Sequence, residues 1–127
     1  TLTPVPLIHS KVTFGYAIES SNGSRFAYLT DTLGLPLRTE AFLTDWRPQG
    51  LALDCSYPPR DEPKNHNDWT TALTVIDKVK PQRAWLTHIS HKLDAWLLET
   101  GASSPHAAIA MDGDRVDLPA GLDRPSS

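Results

Sequence analysis

A chain of 127 residues is long enough for one domain with a modest core and too short for two. Hydrophobic residues at 39% and charged residues at 21% exclude a disordered segment, and no run approaches the ~20 apolar residues that a membrane span needs. A net charge of −3 with interspersed signs leaves no basic stripe for nucleic acid, and the single cysteine, Cys55, excludes an internal disulfide and fits a reducing, cytoplasmic compartment.

The chain opens on two short apolar runs, residues 2–8 and 12–19, that read as strands; in the second, Val12, Phe14, Tyr16 and Ile18 fall on one face. Residues 1–8 carry no charged segment of the kind a signal peptide needs and begin inside a strand pattern, as expected of a piece of a longer chain. Asn22-Gly23 is a strong hairpin turn, and residues 25–30 form the returning strand. Residues 36–46 place Leu37, Ala41, Phe42 and Trp46 at helical spacing behind a proline.

Gly50 to Asp54 is a continuous apolar strand of the kind buried on both faces. Residues 56–67, rich in proline and charge, form a loop. Asp68 caps a helix whose stripe is Trp69, Ala72, Leu73, Ile76 and Val79, and Pro81 ends it. Residues 83–87 are a further buried strand, and residues 90–100 are a helix capped by Ser90 and closed by Gly101. A final hairpin is expected over residues 107–118, turning at Asp112-Gly113, with a frayed tail over 119–127.

Strands first, then strands alternating with helices, predict an α+β domain over residues 1–118: a mixed sheet with helices on one face. Nothing in these residues can cover the other face. The expectation is half a sandwich with a bare apolar sheet face and a tendency to associate, so a homodimer stays open.

Polar groups gather after the strands, where open sheets collect functional side chains. His9 follows the first strand, Asp31 the third and His88 the fifth; His91 stands three residues on, and His66 lies in the proline-rich loop. Imidazole plus carboxylate suits Zn(II), Mn(II) or Fe(II). Singly, each has an ordinary explanation: a strand-end histidine is usually hydrogen-bonded or solvated, and Asp31 could cap a turn. Asp54 reads as a buried turn carboxylate, Cys55 as a small core residue, His106 as solvated surface and the four tryptophans as core.

Five strings in order carry a more specific signal: Pro6-Leu-Ile-His-Ser-Lys-Val-Thr-Phe-Gly-Tyr16, Tyr28-Leu-Thr-Asp-Thr32, Leu53-Asp-Cys-Ser56, Asn65-His-Asn-Asp68 and Leu86-Thr-His-Ile-Ser-His91. Together they resemble the second half of the PhnP family of the metallo-β-lactamase superfamily, an αββα sandwich. The resemblance runs from about Leu2 to Gly113.

That resemblance implies a dinuclear-metal phosphodiesterase using two divalent cations, Mn2+ or Zn2+, with His9, Asp31 and His88 among the ligands and Asp31 bridging. It implies His66 as general acid and His91 as a ligand of one structural Zn2+. Arg60 and Lys64, flanking His66, could receive a substrate phosphate. The implied substrate is a small phosphorylated sugar, 5-phospho-α-D-ribosyl 1,2-cyclic phosphate, opened to ribose 1,5-bisphosphate in phosphonate (carbon–phosphorus lyase) catabolism. The family's early His-x-His-x-Asp-His motif and the cysteines of its structural zinc site do not occur in these residues. Alone, the chain is therefore expected to bind metal weakly and turn over little. The alternatives are a cyclic-nucleotide or RNA-processing phosphodiesterase of the same superfamily, and a non-catalytic interaction module.

Overall fold

The computed structural model describes residues 1–60 and 62–120. One six-stranded sheet runs in chain order, β1 (Leu2–Pro6), β2 (Phe14–Glu19), β3 (Arg25–Leu29), β4 (Gly50–Asp54), β5 (Arg83–Thr87) and β6 (Ala108–Ile109). The pairs β1–β2 and β2–β3 are antiparallel, whereas β3–β4, β4–β5 and β5–β6 are parallel. The crossovers carry the helices α1 (Leu37–Trp46), α2 (Trp69–Val79) and α3 (His91–Thr100).

The helix ends follow local chemistry. The Asp68 side chain accepts from the Thr71 amide at the start of α2, and the Ser90 hydroxyl accepts from the Leu93 amide at the start of α3. Gly101 closes α3 in the left-handed conformation that glycine adopts without steric penalty.

Cross-strand register sorts every strand residue onto one of two faces. Ala17, Ala27, Leu51 and Ala84 lie in one row and Leu29, Leu53, Leu86 and Ile109 in another on the same face. These rows pack against Leu43 of α1, Ala72, Val75, Ile76 and Val79 of α2 and Leu93 of α3, forming one core. Each fully buried leucine contributes about 1.5–3 kcal/mol by leaving water.

The opposite face is the apolar one that the alternation of β2 announces, and among the described residues no helix covers it. Phe14, Tyr16, Ile18 and Tyr28 are 39–49% exposed there, and Leu2 extends the patch onto β1. Val12 lies before the strand at 90% exposure. The Trp85 end of this face is closed by Phe26 and by the Arg83 guanidinium 4.9 Å above the indole.

The hairpin expected over residues 107–118 does not form. The turn itself is present, with the Asp114 amide donating to the Met111 carbonyl. However, Ala108 and Ile109 add to β5 as a parallel edge, paired with Trp85 and Leu86, and no strand returns. A turn signal fixes chain reversal, not pairing, and here the following residues run to the far end of the sheet. Gln49 Nε2 donates to the Pro119 and Ala120 carbonyls at 2.9 and 3.4 Å, and Ser24 Oγ donates to that of Pro119 at 2.8 Å. The expected frayed tail is thus tied down at its first two residues; residues 121–127 lie outside the described residues.

Candidate metal centre

The carboxyl ends of β3, β4 and β5 form one rim, and the chain leaves it in unusual backbone conformations. Asp31, just beyond β3, has φ +58°, and His88, just beyond β5, has φ +65°. Left-handed backbone outside glycine carries strain, and it concentrates where a side chain must be aimed. Asn65, preceding His66 in the long loop, has φ +64°.

These turns converge. Asp31 Oδ1 lies 3.5 Å from His88 Nε2 and 3.9 Å from His66 Nδ1. The His66 and His88 rings stack at 4.7 Å between centroids, 15° from parallel, and the His9 ring meets His66 edge-on at 5.1 Å. One ligand atom from each of Asp31, Asp54, His66 and His88 falls within 4.8 Å of the others. Open space beside them, about 320 Å³, is lined by Ser56, Tyr57, His66, His88, Ile89 and Ser90.

The donor set suits a borderline divalent cation. Two ligands about 2.0–2.1 Å from a tetrahedral ion stand roughly 3.3 Å apart. The 3.5 Å between Asp31 Oδ1 and His88 Nε2 fits that separation with a small adjustment.

Of the residues singled out by sequence, Asp31, His66 and His88 share this group. His9 stands beside it, its Nδ1 held by the Asn65 carbonyl at 3.0 Å, so that Nε2 is its unengaged nitrogen. His91 is apart, exposed at the first residue of α3. No thiol accompanies it in this chain. Cys55 is fully buried, and burial first, then the Asp54 and Asp68 charges, push its thiol up to about 12, which makes it a core residue. The Arg60 guanidinium stacks 4.5 Å over the Tyr57 ring, whose other neighbour is His66 at 6.4 Å. Lys64 is exposed, and its carbonyl accepts from the His66 amide at 2.7 Å.

Sequence reasoning missed the support beneath these groups. Asp54, fully buried, accepts from His66 Nδ1 at 2.5 Å, from the Thr32 amide at 3.1 Å and from Ser56 Oγ at 3.0 Å. Asn67, also fully buried, donates to the Asp54 carbonyl at 2.8 Å and accepts from the Gly34 amide at 2.7 Å. A usable signal did exist: aspartate closing a strand that is buried on both faces must have partners, because a lone buried charge is prohibitively costly.

Comparison with known proteins agrees with this geometry. A family model described as a beta-lactamase superfamily domain matches residues 1–89. A search of curated proteins by sequence finds no match. Among solved structures, a diphosphatase from the PhnP family is 26% identical with a TM-score of 0.74, over 94% of this chain and 44% of that one. Human tRNase Z, short form, is 17% identical with a TM-score of 0.68, over 93% of this chain and 43% of that one. Zn(2+)-bound PqqB from Methylobacterium extorquens is 20% identical with a TM-score of 0.66, over 93% of this chain and 50% of that one. The chain spans about half the length of the structures it resembles, and the last two share its fold alone.

Proposed function

The chain belongs to the beta-lactamase superfamily domain family, and from that premise we propose that it is the part of a dinuclear-metal phosphodiesterase that carries the later metal ligands and the general acid. The observation that carries the reading is the convergence of Asp31, His88 and His66 at one rim. Divalent cations, when bound, supply charge neutralisation for the phosphoryl oxygens and lower the pKa of the attacking water. Asp31 and His88 would hold them, with His9 beside the group as a further imidazole donor.

His66 serves as general acid. Its Nδ1 is committed to Asp54, so Nε2 is the nitrogen left to deliver a proton to the departing oxygen. Arg60, braced on Tyr57, and Lys64 flank this loop and supply positive charge for a substrate phosphate. The proposed substrate is 5-phospho-α-D-ribosyl 1,2-cyclic phosphate, opened to ribose 1,5-bisphosphate. Support comes from the PhnP-family likeness and from the absence of a basic stripe suited to RNA. His91 is proposed as a ligand of a separate structural zinc whose other ligands lie outside this chain.

Asp54 continues the row of Ala52 on the bare side of the sheet, so a second layer on that face would stand next to the rim and could complete the ligand set. The test is to express the complete coding region, search it for an in-frame His-x-His-x-Asp-His, and assay it with Mn2+ or Zn2+. Hydrolysis of the phosphoribosyl cyclic phosphate in preference to cyclic nucleotides and tRNA precursors is expected. Preference for either rival would move the assignment to another branch, and no metal-dependent hydrolysis would end it. The bare face favours one further reading, a non-catalytic module that pairs through Phe14, Tyr16 and Tyr28. A start codon adjoining Thr1 and a stable self-associated species by light scattering would favour it.

A further inference from the structure

Asp54 stands in the metal-competent group by distance, but its chemistry differs from that of its neighbours. It is fully buried, whereas the Asp31 side chain is 45% exposed. Both of its oxygens are already occupied: Oδ2 by His66 Nδ1 and the Thr32 amide, Oδ1 by Ser56 Oγ. Oδ2 accepts two hydrogen bonds, so a cation could bind it only by breaking one of them. The Ser56 hydroxyl has a single proton and three neighbours, Asp54 Oδ1 at 3.0 Å, His88 Nδ1 at 2.9 Å and the His88 carbonyl at 2.9 Å. A carboxylate is the stronger acceptor, so the proton goes to Asp54. The Ser56 oxygen can then only accept from the ring, which puts the His88 proton on Nδ1 and leaves the Nε2 lone pair facing Asp31.

We propose that Asp54 is a positioning residue rather than a metal ligand: one buried carboxylate fixes the ring tautomers of two histidines, His66 directly and His88 through Ser56. This rests on the metal-site reading above for its purpose, though not for its geometry. Both rings then present Nε2 to the site without a cation being needed to select it. Carboxylate and hydroxyl partners behind histidine ligands do this in metal centres, and their removal typically costs about 10–100-fold in metal affinity.

The test is histidine-selective nitrogen NMR on the 127-residue chain. Wild type should show His66 and His88 both protonated at Nδ1. Ser56→Ala should move His88 towards the Nε2-protonated form while leaving His66 unchanged. Asp54→Asn should also move His88, because the amide keeps its oxygen where the Thr32 amide and His66 Nδ1 donate and turns its NH2 towards Ser56 Oγ, which frees the hydroxyl proton for the His88 ring. Ser56→Ala removes only the hydroxyl and keeps the proposal testable if Asp54→Asn does not fold. His88 protonated at Nε2 in wild type, or unmoved in Ser56→Ala, would overturn the proposal. Zinc titration on the same samples separates the two readings. Correct tautomers with no zinc response at the His88 Nε2 signal remove the metal function and leave the Asp54 role standing.

Discussion

The two ends of the parallel strands are built from the same sheet and carry opposite kinds of order. At the carboxyl end, Asp31 and His88 leave their strands with positive φ and stand partly open to solvent, His88 lining an open pocket. At the amino end, side chains are paired and stacked instead. Arg25 pairs with Glu19 at 3.0 Å and lies 5.3 Å over the Trp46 ring, and Gln49 joins the Arg25 amide to the Pro119 carbonyl. One rim spends strain to aim ligands, and the other holds the layers together. Substitutions at the two rims should therefore separate metal binding from stability.

The largest effect is expected where both rims share a foundation. Leu53→Ala, in the fully buried core directly before Asp54, should lower unfolding free energy by about 2–5 kcal/mol in denaturant titration and weaken both ends at once. His88→Ala should weaken Zn2+ or Mn2+ binding by on the order of 100-fold in calorimetric titration, with the unfolding midpoint little changed, because the ring is half exposed. Gln49→Ala should do the reverse, costing about 1–2 kcal/mol of stability with no change in metal affinity.

The smallest effect concerns pH. Burial pushes Asp68 up, but hydrogen bonds from Thr71 and the Arg60 amide outweigh it and hold the carboxyl below its usual 3.8. A carboxyl whose folded value is depressed adds stability above its unfolded value and loses that contribution as pH falls through the folded one. Asp68→Asn should therefore cost up to about 1 kcal/mol at neutral pH. The gap to wild type should close below about pH 4 in thermal unfolding.

The fold was legible largely because its signals are local. Asn22-Gly23 made a hairpin, Asp68 and Ser90 capped helices, and the alternation of Phe14, Tyr16 and Ile18 marked a face that no helix among the described residues covers. The two-residue strand β6 carried no such signal, since a short parallel edge depends on the strand it joins. In the site, Asp31, His66 and His88 could be named from strand ends and from resemblance to a known family. Ser56 could not, and Asp54 was legible only as a buried carboxylate that must have partners. Their importance comes from partners on three separate segments, at Thr32, His66 and His88, and no spacing along the chain encodes that meeting.

The most direct measurement is anomalous X-ray scattering from crystals of the chain grown with zinc. A peak within about 2.0–2.2 Å of both an Asp31 carboxylate oxygen and His88 Nε2, with Asp54 still bonded to His66 and Ser56, is the predicted result. Zinc found only at surface histidines such as His106, or a filled site in which Asp54 has turned to bind the ion, would contradict the account.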